Sequence, residues 1–171
     1  MTVAVETGLW RLDQAASVVA VQHKTMWGLV TVKGTFTSVS GEGEVRAGGS
    51  AQGTITLDAA SLDTKHAKRD QHLRHADFFD ADNHPALTFA VHGAELRPDD
   101  TVQVTGELTV RGVSRPQTLT ARVVRADADA VTLEAEFTVD RAEFGVGGNQ
   151  MGMIRGLTAV NATLRFTRAV A

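Results

Sequence analysis

Residues 101–124, TVQVTGELTVRGVSRPQTLTARVV, decide the fold of this chain, because apolar and polar side chains alternate on both sides of one turn. Val102 and Val104 lie at alternate positions and would therefore face the same side of a strand. The alternation resumes at Leu119, after residues 111–116. A period of two residues is typical of half-buried β-strands. The Gly and Pro of RGVSRP suit a turn. The stretch therefore predicts two consecutive strands that pair antiparallel.

The same alternation recurs along the chain. It runs through SVVAVQH (17–23), VTVKGTF (30–36), GTITLD (53–58), ALTFAVH (86–92), VTLEAEFTV (131–139) and AVNATLRF (159–166), with a short segment around Trp10. Signals such as SGEG (40–43) predict turns between them. Short connections favour an antiparallel meander, because parallel strands need long crossovers, and closure of the sheet removes exposed edges. We predict an all-β, extended antiparallel eight-stranded barrel that occupies residues 1–171 as one domain.

The composition narrows the classes of partner. There are 17 basic and 20 acidic residues, which give a net charge of −3, and no basic face of the kind that nucleic-acid binding requires. The absence of cysteine excludes disulfides and thiolate metal sites. The N-terminal MTVAVETGLWRLD lacks the basic start and apolar run of a secretory signal, and no apolar run reaches the roughly 20 residues that span a bilayer. These features predict a cytoplasmic protein without a membrane span, and they leave open whether it forms a homodimer.

Residues 61–85, SLDTKHAKRDQHLRHADFFDADNHP, hold four histidines and do not alternate. Residues 61–77 favour a short α-helix, docked at one end of the barrel and capped by a Ser, Asp or Thr. The spacing of His66, His72 and His75 matches neither HExxH nor a cysteine-based pattern, so we interpret them as solvent-exposed. Nucleophile elbows, phosphate loops and dinucleotide fingerprints are also absent from the sequence. We therefore predict no catalytic residue, no metal and no cofactor.

The predicted inner face consists mostly of small aliphatic side chains, and aromatic residues make up only 5% of the chain. A barrel of about eight strands is wide enough to hold a small ligand, and small side chains leave more of that space free. The sequence thus permits a long apolar cavity. His23 follows Val19 and Val21 on the same strand face, near a strand end. There it either packs in the core or gives a ligand a polar contact at the cavity mouth.

Several motifs together resemble a known family. They are SLDT (61–64), RDQHLRHADFFDADNHPALTF (69–89), WRLD (10–13), VKGTF (32–36), VTGELTVRGVSRP (104–116) and FTVDRAEFGV (137–146). The combination is similar to the YceI-like family of lipocalin-like, isoprenoid-binding proteins, and the resemblance covers almost the whole chain. It implies a lipocalin-like barrel with a helix at one end. It also implies that a long isoprenoid chain, or the tail of an isoprenoid quinone, is held inside the barrel.

On this basis the leading hypothesis is a protein that binds, stores, transports or sequesters an apolar isoprenoid and is not an enzyme. The predicted ligand-binding residues are Val21, His23, Val32, Phe36, Ile55, Leu57, Phe78, Phe79, Phe89, Val104, Leu119, Leu133, Phe137, Leu164 and Phe166. One alternative is an isomerase or cyclase that uses the same cavity, with His23 as its acid or base. Another is a ligand-free, stress-related barrel. Many relatives are exported, so the expected cytoplasmic location departs from the family pattern.

Overall fold

The computed structural model of the protein describes residues 7–25, 30–46, 51–65, 67–68, 83–140 and 157–169. Its strands are β1 (Gly8–Leu12), β2 (Val18–Thr25), β3 (Val30–Phe36), β4 (Val39–Val45), β5 (Ala51–Asp58), β6 (Leu62–Asp63), β7 (Ala86–Leu96), β8 (Thr101–Val110), β9 (Val113–Ala126), β10 (Ala130–Asp140) and β11 (Leu157–Arg168). Two 3₁₀ turns, Gln14–Ala16 and Ala59–Ser61, separate some of them. Residues 67 and 68 are helical. The predicted helix does not begin at residue 61, because β6 intervenes, and residues 69–77 lie outside the described ranges.

Eight of these strands form a closed antiparallel barrel. Their order around the ring is β1-β4-β5-β7-β8-β9-β10-β11, and β11 pairs again with β1. The C-terminal part of β11 pairs with β1, and its N-terminal part pairs with β2, which continues into β3 and β6. The predicted all-β, eight-stranded antiparallel barrel is therefore confirmed.

A polar network marks the break between β1 and β2 and ties it to β11. The Ser17 hydroxyl donates to the Asp13 carbonyl over 2.7 Å and accepts from the Arg165 backbone N–H over 3.0 Å. The Arg165 guanidinium donates to the Asp13 carboxylate over 2.6 Å. Both charged side chains are partly buried. The break is thus held by satisfied polar groups, as a strand interruption inside a sheet requires.

The turn between β8 and β9 is shorter than the sequence suggested. Arg111 and Gly112 have φ angles of 53° and 74°, as in the two-residue hairpin turns that match strand twist. The predicted turn over 111–116 is therefore wrong, since β9 already begins at Val113. Pro116 lies within β9, beside β8. In the part of the chain that the structure describes, the residues of β9 before Ala121 have no partner on β10, and proline is tolerated where a strand is paired on one side only.

The predicted turn at residues 40–43 is also wrong, because these residues belong to β4. Gly43 pairs directly with Gly53 of β5. The two strands approach so closely that a Cβ on Gly53 would lie 2.5 Å from the Glu42 carbonyl oxygen. Glycine here permits a tight bend of the sheet at a barrel corner rather than a reversal of the chain.

The buried apolar residues form two groups. The Trp10 cluster consists of Trp10, Val102, Val104, Ala121, Val123 and Val131. The Phe36 cluster consists of Val19, Phe36, Val39, Ala59, Leu62, Leu87, Val110 and Ala162. We call the barrel end that holds the first group the Trp10 end. The opposite end, with the β8–β9 turn, is the Gly112 end.

Candidate functional site

The candidate site is the lumen of the barrel, which the alternate residues of each ring strand face. Register brings predicted lining residues together in pairs across neighbouring strands: Ile55 with Phe89, Val104 with Leu119, and Leu133 with Leu164. Phe166 pairs with Val131 of the buried Trp10 cluster, so it faces the lumen as well. Val21 and Phe36 lie on the same face of the adjoining strands β2 and β3.

Most of the inward-facing apolar residues are half-buried rather than buried. We call this set the inner belt. It comprises Ile55, Leu57, Phe89, Val91, Leu108, Leu119, Leu133, Ala135, Phe137, Val160, Leu164 and Phe166. These residues face the lumen by register, and their partial exposure indicates that neighbouring side chains leave part of their apolar surface uncovered.

The inner belt lies on the Gly112 side of the Trp10 cluster. On β8, Leu108 lies nearer to the Gly112 end than the buried Val104 does. On β9, Leu119 lies nearer to that end than the buried Ala121 does. On β10, belt residues begin at Leu133, beyond the buried Val131. The belt thus borders both buried clusters, because Leu119 and Leu133 pack against the Trp10 cluster and Ile55 and Leu57 pack against the Phe36 cluster.

Two polar residues on the inner face were absent from the predicted site. Arg115 pairs with Leu108, and Gln117 pairs with Gly106, which places both on the inward parity of β9. They lie near the Gly112 end, where the ring of His84 packs against Gly112. The sequence alone could have identified them, because residues 115, 117 and 119 lie at alternate positions and therefore share one face of the strand. It was missed because only apolar positions were considered.

The side chains of four predicted site residues lie outside the described part of the structure. Phe78 and Phe79 lie outside the described residues. His23 and Val32 pair with each other across β2 and β3, but their side chains lie outside the described part of the structure. Their contacts with a ligand stay predictions.

Among the described residues, three carboxylates have a shifted pKa: Asp99 and Asp127 lie in the turns after β7 and β9, and Asp63 ends the short strand β6. The hydroxyl and N–H of Thr101 lower the pKa of Asp99, and the N–H groups of Asp129 and Ala130 lower the pKa of Asp127. The N–H and ammonium of Lys65 lower the pKa of Asp63. Hydrogen bonds to the ionised form cause all three shifts, and each stabilises a local bend. Within the described ranges, no group of His, Asp and Glu is arranged to hold a metal ion.

A separate hollow of about 380 Å³ lies on the surface near the Trp10 end. Its charged groups already have partners: Arg165 binds Asp13, and Asp127 accepts two backbone N–H groups near Arg125. Because its lining is mostly polar, it suits an apolar chain less well than the lumen does. We interpret it as a surface feature of the β9–β10 hairpin.

Comparison with known proteins agrees with this architecture. The family model described as the YceI-like domain matches residues 10–166. Protein YceI of Escherichia coli is 35% identical over 97 residues, which cover 54% of this chain and 50% of that protein. The chain thus matches about half or less of the length of the curated relatives that resemble it.

Two solved structures share the fold. BcnA of Burkholderia cenocepacia superposes with a TM-score of 0.81 at 23% identity, covering 90% of this chain and 98% of BcnA. A polyisoprenoid-binding domain of Saccharophagus degradans superposes with a TM-score of 0.72 at 17% identity, covering 94% and 98%. At these identities the likeness concerns the fold alone. Over the described residues, no helix has the length and apolar character needed to cross a membrane.

Proposed function

Because the chain belongs to the YceI-like family, we propose that it binds a long apolar isoprenoid, or a lipid with such a tail, in the lumen of its barrel. The observation that carries this proposal is the half-buried inner belt. An apolar wall that keeps accessible surface inside a closed sheet gains free energy when a hydrocarbon covers it. The gain is about 0.8 kcal/mol for each CH₂ group removed from water. The polyisoprenoid-binding domain that shares the fold supports the same ligand class.

Binding without chemistry is the role that the inner face supports best. The inward positions of β5, β7, β8 and β10 carry apolar side chains or glycine throughout. A general acid or base would need an ionisable group at such a position, with its pKa shifted by the site. The alternative of an isomerase or cyclase takes His23 as its acid or base, and the side chain of His23 lies outside the described residues.

The polar residues of β9 suggest how the ligand is oriented. Gln117 and Arg115 follow the belt residue Leu119 towards the Gly112 end. Apolar pockets commonly fix orientation with a few polar groups at one end. We propose that the polar head of the lipid lies near these two residues and that its tail points towards the Trp10 end.

A pair of variants on β10 tests the proposed function. Ala135 is half-buried and faces the lumen, whereas its neighbour Glu136 faces solvent. Ala135→Phe adds an aromatic ring to the lumen, and Glu136→Phe adds the same ring to the outer surface. Binding of a fluorescent prenyl alcohol is measured by titration, and bound lipid from expression is identified by native mass spectrometry and extraction.

We expect Ala135→Phe to weaken binding at least tenfold while Glu136→Phe binds like the wild type. Urea unfolding of both variants checks that the fold survives, because an added ring can overpack a core. Equal affinities of the two folded variants would contradict binding in the lumen. Failure of the wild type to bind any prenyl probe would contradict the proposed function itself.

A further inference from the structure

We propose that Trp10 forms the closed floor of the lumen and sets the greatest length of apolar chain that the barrel accepts. This inference rests on the proposed function and adds a length limit to it. Trp10 is only 4% exposed and belongs to β1. Its side chain is the largest in a cluster whose six members are all buried.

The order of strands shows that this cluster crosses the lumen. Counting around the closed ring from β1, strand β8 is fifth and β9 is sixth, so both lie on the opposite wall. Val102 and Val104 come from β8, and Ala121 comes from β9, yet they form one contiguous buried cluster with Trp10. Side chains from opposite walls therefore meet across the barrel at this level.

The strand that pairs with β1 on one side of Trp10 carries glycine at the position in register. Trp10 pairs with Gly43 of β4, and Gly43 pairs with Gly53 of β5. Both glycines have the inward parity, so β4 and β5 contribute no side chain at this register. The largest side chain of the cluster thus lies beside a part of the wall that carries glycine.

The inner belt begins directly above this floor. Leu133, Leu164 and Phe166 are half-buried and include direct strand partners. Leu133 and Phe166 also pack against the Trp10 cluster. An apolar tail that lies along the belt covers these residues until its terminal carbons reach Trp10. Any further length must stay outside the lumen, where it gains no burial.

The test uses all-trans prenyl alcohols that lengthen by one isoprene unit at a time, with dissociation constants measured for the full chain. In the wild type we expect about a tenfold gain in affinity or more for each unit that enters, followed by a break beyond which affinity is constant. Trp10→Leu and Trp10→Ala should move the break to longer alcohols by at least one unit. Leu9→Ala, which removes a side chain from the outer face of the same strand, should leave the break in place.

A second measurement avoids any change at the floor. The sequence has two tryptophans, so Trp27→Phe leaves Trp10 as the sole indole. A prenyl alcohol brominated at its tail end should quench Trp10 emission only when the chain is long enough to reach the floor.

The outcomes separate the two proposals. Binding with no break, a break that Trp10→Leu leaves unmoved, or quenching that is independent of length would refute the floor and leave lipid binding intact. Absence of binding at every length would overturn both.

Discussion

Gly53→Ala is expected to destabilise the barrel because the added methyl group has no space. A Cβ at this position would lie 2.5 Å from the Glu42 carbonyl oxygen and 2.8 Å from the Gly43 Cα. Ordinary van der Waals contact begins at 3.4 Å. Both neighbours are backbone atoms of β4, so two paired strands must move apart. Overpacking of this kind costs about 1–3 kcal/mol.

Gly93→Ala is the matched control. Gly93 lies in β7 and its backbone φ is not positive, and a Cβ there would meet nothing within 4 Å. Alanine restricts the unfolded chain more than glycine does, so this variant should gain about 0.4–1 kcal/mol. The two substitutions add the same atom, and their expected effects have opposite signs.

Urea and thermal unfolding measure the difference. For a chain of this size, 1 kcal/mol shifts Tm by about 2–4 °C. We therefore expect Gly53→Ala to melt several degrees below the wild type and Gly93→Ala to melt slightly above it. A Gly53→Ala protein as stable as Gly93→Ala would refute the tight approach of β4 and β5.

Three further predictions concern polar contacts. The partly buried Asp13–Arg165 ion pair should contribute about 1 kcal/mol, as a double-mutant cycle with Asp13→Asn and Arg165→Met will measure; a coupling near zero would argue against its role. The folded pKa of Asp127 is lowered by backbone N–H groups, so its contribution is present above its unfolded pKa and is lost as pH falls through the folded value. Asp127→Asn should therefore reduce the loss of Tm below about pH 4, and an unchanged acid profile would be contrary to this account. Ser61→Ala removes hydrogen bonds to the Ser38 N–H and the Asp58 carbonyl and should cost about 1 kcal/mol by urea unfolding; a neutral result would mean that water replaces both.

Alternation predicted the strands well wherever side chains of opposite character followed one another. The stretches 30–36 and 101–110 coincide with β3 and β8. The errors concerned Gly and Pro. Whether these residues form a turn or continue a strand depends on contacts with residues distant in sequence. SGEG was interpreted as a turn because nothing in it reveals that β5 approaches β4. Pro116 was placed in a turn because the sequence does not show that, in the described structure, this part of β9 pairs with β8 and not with β10.

The candidate site was predictable in part for a similar reason. The alternation of residues identified the inner face of each strand, because every second residue of a strand lies on the same side of the sheet. Parity alone could not reveal which inner residues would be fully packed and which would keep exposed surface. That division depends on the stagger of strands around the ring, which brings Trp10 opposite Val102 and Ala121. The closed floor is therefore visible only in three dimensions.

The pairing of β1 with β11 has a consequence for biosynthesis. The network around Asp13 joins positions 148 and 152 residues apart, so the ring cannot close until β11 has left the ribosome. Contacts this distant in sequence slow folding. Until β11 pairs with β10 and β1, the nascent protein exposes the apolar concave face of its sheet and two unpaired strand edges. We expect a chaperone to shield it during this interval, and a truncation that removes β11 to aggregate rather than yield a smaller barrel.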